Sequence, residues 1–300
     1  MLSRKGIFSS KYSLYWLMAP LFIYLAVFYL YPLIYSVYMG FFEWNMGDPT
    51  MTFVGLSNYV AAFRDSQFTG SFINTATFVV AAVGIELTLG LALALLLNRE
   101  TWPMRLLRTV VLLPTLLTPL VVALTWKALL NPDFGALTYY IRAVGLDIGR
   151  GVFVERSLAM AGIVLIDVWQ WTSLITIILL AGLKGMPIEP YEAAYVDGAS
   201  RWQAFRFITI PLLRPTILIA LVVRSLDALK IFDSVFAITG GGPGTATTTT
   251  NFHIFKVGIQ HLRVGYASAL SNIFLAVSVG IGLLIIRNVF LSSRRKGGAV

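Results

Sequence analysis

Apolar residues run along this chain in six near-continuous blocks, at about 13–39, 72–97, 105–130, 158–183, 213–238 and 265–291, with polar residues gathered between them. A half-buried strand would alternate every second residue and a soluble helix would keep a polar face, so blocks apolar on every side predict helices solvated by lipid. About 20 helical residues cross a hydrocarbon core about 30 Å thick, and each block meets that length. The expectation is an all-α, polytopic membrane bundle of six transmembrane helices, occupying 13–291 between short termini at 1–12 and 292–300. In the first block Trp16, Tyr24, Tyr29, Tyr31 and Tyr35 are candidates for the aromatic belt at the membrane surface. Pro114 and Pro119 in the third block predict a kink whose freed backbone groups neighbouring helices satisfy. The first block follows Arg4, Lys5 and Lys11 as a secretory signal would. It is too long for a signal's apolar core and no small-residue cleavage site follows, so it reads as a retained anchor.

Composition agrees: of 300 residues 57% are apolar and 12% charged, which excludes a soluble enzyme. The formal charge of +9, from 23 basic and 14 acidic residues, could indicate nucleic acid, but the basic residues are placed asymmetrically. The N-terminus (Arg4, Lys5, Lys11), second-to-third loop (Arg99, Arg105, Arg108), fourth-to-fifth loop (Lys184, Arg201, Arg206, Arg214) and tail (Arg287, Arg294, Arg295, Lys296) carry most of them. The opposite loops carry Arg64, Arg142, Arg150, Arg156, Lys256 and Arg263. By the positive-inside rule both termini are cytoplasmic, and the basic excess needs no nucleic acid. The absence of cysteine rules out disulfides and thiolate metal sites. His253 and His261, eight residues apart with no acidic ligand near them in sequence, do not suggest a metal site.

Between the fourth and fifth blocks, residues 185–214 form a connection long enough to fold by itself. Pro190 suits a first helical position, Glu192 sits in the first turn where the helix dipole favours an anion, and Gly198 can end that helix with a left-handed turn. A second helix is expected from Ser200, with Gln203 completing a capping box, Trp202, Phe205 and Ile208 on one stripe, and Pro211 closing it. Such a projection is too polar for lipid, and its aromatic stripe needs a partner.

Glu192-Ala193-Ala194, three residues, Gly198, nine residues, then Ile208-Thr209-Ile210-Pro211 resembles the EAA loop of permease subunits of ATP-binding-cassette importers. Ile210 stands where Leu is usual, a nearly volume-conserving change. Further stretches are similar to the carbohydrate-uptake, maltose-transporter-like branch: 53–59 (Phe53 to Tyr59), Asn74-Thr75, 131–135 (Asn131 to Gly135), 181–183 (Ala181 to Leu183), Phe232-Asp233 and 239–244 (Thr239 to Gly244). The resemblance implies a type I importer permease fold in a bacterial inner membrane. It implies a second, unlike permease subunit, two ATP-binding subunits that hold ATP and Mg, and an extracytoplasmic solute-binding protein that delivers a sugar-like solute. No cofactor is expected in this chain. The first loop helix would act as a coupling helix seated in the ATPase, a role falling on Glu192, Ala193, Ala194, Asp197, Gly198, Ala199 and Arg201.

Glu86, Asp167, Arg224, Asp227, Lys230 and Asp233 fall inside predicted spans, where ionisable groups face a bundle interior or a watery cavity. Arg224, Asp227, Lys230 and Asp233 alternate in sign every third residue, so they read either as a self-neutralising ladder or as a hydrophilic pathway wall. Asp167, Trp169, Gln170 and Trp171 on the fourth span suit a sugar, whose apolar face stacks on aromatic rings while its hydroxyls meet polar groups; the tryptophans could equally be packing. With Phe232 and Asp233 they are the candidate substrate-pathway residues. Glu86 shows no partner in the sequence and reads as structural.

Residues 240–244 are glycine-rich but lack the Lys-Ser/Thr of a phosphate-binding loop, and with Thr245 and 247–250 suggest a mobile outer loop or a disordered linker. Asn58 and Tyr59 suggest an outer amphipathic helix. Besides an ATP-driven transport subunit, two readings stay open: an integral-membrane enzyme using Asp167 and Asp227 as acid and base, and a proton-coupled secondary transporter using the intramembrane carboxylates.

Overall fold

The computed structural model describes residues 11–146 and 148–294. The cytoplasmic assignments made for Arg4, Lys5, Arg295 and Lys296 lie outside the described residues.

Among the described residues thirteen α-helices follow in order: α1 (Lys11–Leu25), α2 (Tyr31–Met39), α3 (Ser57–Arg64), α4 (Ser66–Leu97), α5 (Trp102–Leu112), α6 (Pro119–Leu129), α7 (Ala136–Ala143), α8 (Arg156–Lys184), α9 (Glu189–Val196), α10 (Arg201–Ala204), α11 (Ile210–Ala228), α12 (Thr250–Phe255) and α13 (Val264–Arg294). Five stretches of the described residues are long and apolar enough to cross a membrane: Tyr15–Met39, Ser66–Leu97, Arg156–Lys184, Arg201–Ala228 and Val264–Arg287.

The third predicted span departs from its expectation. It is a broken pair, Trp102–Leu116 and Pro119–Leu129, bent by 97° rather than gently kinked. Pro119 disfavours helical backbone at the residue before it, and Leu117 and Thr118 are both extended. The break is tolerated because α8 satisfies the freed backbone. Gln170 Nε2 donates to the Leu117 carbonyl at 2.9 Å, and Ser173 Oγ donates to the Val111 carbonyl at 2.6 Å. Thr115 Oγ1 returns a bond to the Gln170 carbonyl at 3.1 Å.

Two further expectations are corrected. The fifth span, read as 213–238, ends as an α-helix at Ala228 and then breaks. Pro211 does not close a separate loop helix, because α10 runs through a π-turn at Phe205–Thr209 directly into α11. In that wider turn the Ile210 N–H reaches back to the Phe205 carbonyl, so the ladder is already shifted where Pro211 would have lacked a donor.

Backbone contacts divide the chain into two units. In the unit of residues 1–65 and 254–275, a short antiparallel ribbon pairs Phe42–Glu43 with Thr52–Phe53, the only strands among the described residues. Asn58 Nδ2 donates to the Gly40 and Phe42 carbonyls, and Asn272 Nδ2 to the Ser36 carbonyl and Tyr59 Oη. The expected helix at Asn58 and Tyr59 is therefore present as α3, with Asn58 turned inward.

The unit of residues 66–253 and 276–300 centres on α4, α8 and α11. Ala94, Ile175, Leu179, Leu183, Leu213 and Ala220 form their shared core. Small residues let the backbones approach, since a Cβ on Gly90 would sit 2.6 Å from Ile175 Cγ2 and 3.3 Å from the Thr176 nitrogen. At the end of α4, Arg108 donates to the Leu97 carbonyl from Nε at 3.0 Å and Nη2 at 2.6 Å, satisfying an orphan acceptor. Glu100 then bridges Lys184 at 2.6 Å and Arg108 at 3.3 Å. The hydrogen bond from Lys184, followed by that from Arg108, holds the Glu100 carboxyl below its ordinary range.

Gly90→Leu is expected to lower the melting temperature of the purified protein by several degrees, whereas Gly84→Ala, with open space around the new Cβ, should be neutral or slightly stabilising. Fluorescence-detected gel filtration after graded heating reads both. Because the folded Glu100 pKa is depressed, its bridge contributes above the unfolded value of 4.5 and is lost as pH falls through the lower folded value. The melting difference between wild type and Glu100→Gln should hold at neutral pH and shrink below pH 4.5.

Candidate functional site

Where α11 stops, side chains from the following segment take up the backbone. Asn251 Nδ2 donates to the Lys230 carbonyl at 3.0 Å and Thr249 Oγ1 to the Ile231 carbonyl at 3.3 Å. Residues 229–232 therefore stand as irregular chain without leaving these acceptors unpaired, helix resumes at Asp233, and residues 230–234 form one wall of a cleft of about 100 Å³. Pro119 of α6, Asp167, Gln170 and Trp171 of α8, and Arg224 and Asp227 of α11 complete it.

Arg224 is the centre of this wall and is 1% exposed. Its Nε donates to Glu86 Oε2 at 2.7 Å and its Nη2 to Glu86 Oε1 at 3.1 Å, a bidentate pair between α11 and α4. Nη2 also contacts Asp167 Oδ2 on α8, and Nη1 donates to Asp227 Oδ2 at 3.0 Å. The guanidinium carbon lies 5.4 Å from the Trp171 ring centroid. Glu86 and Asp167 are enclosed, while the Asp227 side chain is 50% exposed.

Glu86, which shows no partner in the sequence and reads as structural, forms a bidentate ion pair; Arg224 lies 138 positions away and no local pattern points to it. The self-neutralising ladder also changes form. Arg224 to Asp227 is its one i,i+3 pair, and α11 ends before Lys230 and Asp233. Asp167 and Asp227, weighed as an enzyme's acid and base, both bind the same guanidinium.

Of the candidate pathway residues, Asp167, Gln170, Trp171, Phe232 and Asp233 share the cleft. Trp169 does not line it, and packs edge-on against Trp126 with ring centroids 5.6 Å apart. Gln170 has its amide committed to Leu117, so it supports the bend behind the wall. Phe232 stacks on Phe236 at 5.5 Å and presents an aromatic face beside Asp233.

The candidate coupling residues lie on α9 and the turn after it. Glu192, Ala193, Asp197, Gly198 and Arg201 are exposed, with Ala194 and Ala199 half-buried. Gly198 has φ +79°, and the Ala199 N–H bonds the Ala194 carbonyl while the Gly198 N–H bonds the Tyr195 carbonyl. That pair of bonds is a Schellman cap, which closes the helix at a left-handed residue. The Ser200 and Gln203 capping box follows at once. Tyr191 Oη lies 3.0 Å from Thr209 Oγ1 and 3.3 Å from Met186 Sδ, fastening α9 to the foot of α11. Val196 is 88% exposed and Tyr195 and Ile188 are exposed too, which leaves α9 with uncovered apolar surface at both ends.

The segment that follows the glycines is packed rather than left as a linker. Thr247 to Thr250 are buried. Thr247 Oγ1 donates to the Gly242 carbonyl, Thr248 Oγ1 to the Gly241 carbonyl, and Asn74 Nδ2 of α4 to the Thr245 and Thr248 carbonyls. Threonine hydroxyls fold this stretch against α4, a use that glycine content hides.

Residues 86–296 match the family of binding-protein-dependent transport system inner membrane components. The chain belongs to that family: it is the permease component of an ATP-binding-cassette importer, a transport subunit and not an enzyme. It is 34% identical over 268 residues to the trehalose/maltose transport system permease protein MalF of Thermococcus litoralis, covering 89% of this chain and 90% of that protein. It is 36% identical over 281 residues to the sulfoquinovosyl glycerol transport system permease protein SmoG of Agrobacterium fabrum, covering 90% and 88%. Its fold matches a crystal structure of a bacterial transporter that imports the acidic polysaccharide alginate, with TM-score 0.81, 25% identity, and 93% and 95% of the two chains covered.

Removing Arg224 leaves two enclosed carboxylates without their cation, a loss of about 3–5 kcal/mol. Arg224→Met should yield little folded protein, and adding Glu86→Gln and Asp167→Asn should recover a large part of it. Monodisperse yield on gel filtration measures this, and wild-type yield from Arg224→Met alone would contradict the account.

Proposed function

We propose that this permease carries a sugar or sugar-like solute along the cleft at Asp167, Trp171, Phe232 and Asp233, and that α9 is the lever through which a separate ATPase drives it. The observation that carries the reading is the construction of α9. It is short, capped at its C-terminus by the Gly198 turn, followed by a capping box, and fastened to the foot of α11 through Tyr191. Such a piece transmits displacement without bending. α11 runs from that foot to the cleft, and the 15 residues between Thr209 and Arg224 place the push about 22 Å from the wall. With α11 pinned to α4 and α8 by the Arg224 ion pairs, movement at α9 becomes a tilt of α11 about that pin.

The relatives named for trehalose, maltose and sulfoquinovosyl glycerol support a sugar-like cargo. The alginate transporter solved with a pentasaccharide-bound periplasmic protein, matched at TM-score 0.79, supports delivery by a binding protein. The working assembly pairs this chain with a second, unlike permease and two ATP-binding subunits, which hold ATP and Mg. Both termini and α9 face the cytoplasm of a bacterial cell. The aromatic faces of Trp171 and Phe232 suit the apolar side of a pyranose, while the Asp227 and Asp233 carboxylates accept from its hydroxyls. Exposed Glu192 and the uncovered apolar surface at Val196 are the contacts offered to the ATPase.

Glu192→Lys and Gly198→Pro are expected to leave the protein inserted while lowering co-purification with the ATPase, or binding-protein-stimulated ATP hydrolysis, about tenfold. Proline fixes φ near −65° and cannot occupy the +79° position, and Lys reverses the charge offered to the socket. Full turnover in both variants would refute the lever. Solute uptake that persists without the ATPase and collapses with the proton gradient would favour a secondary transporter instead.

A further inference from the structure

The charge of the cleft wall narrows the cargo. Asp167, Arg224, Asp227, Lys230 and Asp233 line it, and Glu86 stands directly behind Arg224. Four carboxylates therefore face two cations, a formal charge of −2. Should one enclosed carboxylate hold a proton the sum is still −1, so no protonation state within that range makes the wall positive.

The disposition of the two cations matters more than their number. Arg224 is 1% exposed and its Nε, Nη1 and Nη2 are all committed, to Glu86, Asp227 and Asp167. An anionic ligand would have to break a buried ion pair to reach it. Lys230 is exposed but flanked along the chain by Asp227 and Asp233, both exposed carboxylates. Apart from Lys230, the groups that face the cleft are acceptors and aromatic rings: the free side of Asp227, Asp233, and the rings of Trp171 and Phe232. Such a wall receives hydroxyl donors and repels carboxylate, sulfonate and phosphate.

We propose that the solute crossing this wall is an uncharged polyhydroxylated molecule, a neutral saccharide or polyol, and that Asp227 and Asp233 exclude anionic sugars here. The proposal rests on reading the cleft as the solute pathway. It identifies the two aspartates as specificity determinants and Arg224 as a positioning residue, held out of reach so that its charge cannot recruit an anion.

The chain contains no cysteine, so a single introduced thiol reports local potential without competing sites in this subunit. In the complex assembled with its partner subunits, Phe232→Cys is treated with cationic trimethylammonioethyl or anionic sulfonatoethyl methanethiosulfonate, and modification is followed by the mass of this chain. The cationic-to-anionic rate ratio is expected to exceed that of the exposed reference Thr245→Cys about tenfold, and adding Asp233→Asn should reduce the excess. Asp233→Cys, which removes one carboxylate and so biases against the outcome, serves as a second reporter where Phe232→Cys fails to assemble. A ratio equal to or below the reference overturns the proposal. Maltotriose in the medium should slow modification, and trigalacturonate at the same concentration should not; protection by trigalacturonate also overturns it. A raised ratio with protection by neither sugar upholds the electrostatic exclusion and counts against the saccharide pathway itself, so the two readings fail separately.

Discussion

A guanidinium enclosed in a lipid-embedded bundle has no water to turn to, and every other feature of the central unit is arranged around that fact. Arg224 obtains partners from α4 through Glu86, from α8 through Asp167 and from its own helix through Asp227. Moving an ion of this kind from water to a low-dielectric interior costs several kcal/mol, so the three helices are obliged to present residues 86, 167 and 224 at one depth. Apolar packing cannot set that register alone. Lipid tails are as apolar as leucine, and a sliding helix exchanges one apolar contact for another. The polar cluster specifies the register, and Gly90 against Ile175 and Gly182 against Thr216 let the helices approach closely at that register.

Once Arg224 is placed, the two ends of α11 follow different rules. Toward one end the helix stops at Ala228, and Thr249 and Asn251 capture the carbonyls beyond it, which opens the cleft. Toward the other it continues through the π-turn at 205–209 into α10 and the capped turn at Gly198. The proposed wall and the proposed lever therefore belong to one nearly continuous piece of backbone. The bend at Leu117 and Thr118 serves the same region, since Gln170 supports the broken span from α8 while its neighbour Trp171 faces the cleft.

What could be read from the chain alone divides by range. Signals that close within a few residues were legible: the Ser200 and Gln203 box, the left-handed Gly198, and blocks such as 158–183 against the observed Arg156–Lys184. Pro211 misled because proline ends a helix only where the ladder is regular, and a π-turn had already shifted it. Pro114 and Pro119 marked the right place in the third span. How far the chain could turn there depended on donors from Gln170 and Ser173, more than fifty positions away. The partner of Glu86 was hidden for the same reason. Trp169 and Trp171, two residues apart, point to different neighbours, Trp126 and the cleft, because they lie on different faces of α8. The buried threonines 247–250 were masked by glycine content that also suits a loose linker.

A transport wall must hold its solute weakly enough to release it, which bears on why its acids differ in their freedom. Glu86 spends both carboxylate oxygens on Arg224 and Asp167 spends Oδ2 on it, so these oxygens offer a passing hydroxyl nothing without breaking an ion pair. Asp227 is shared: one oxygen is 3.0 Å from Arg224 while half of the side chain remains open. Hydrogen bonds offered by a solute there replace water rather than protein, and the net gain is of the order of 1 kcal/mol for each. Asp233, at the start of the helical stretch that follows the break after α11, adds a second acceptor with the Phe232 ring beside it. In the proposed pathway two modest acceptors and two aromatic faces would hold a sugar ring loosely, and a tilt of α11 that shifts Asp227 relative to Asp167 would change that hold without disturbing the bidentate pair beneath.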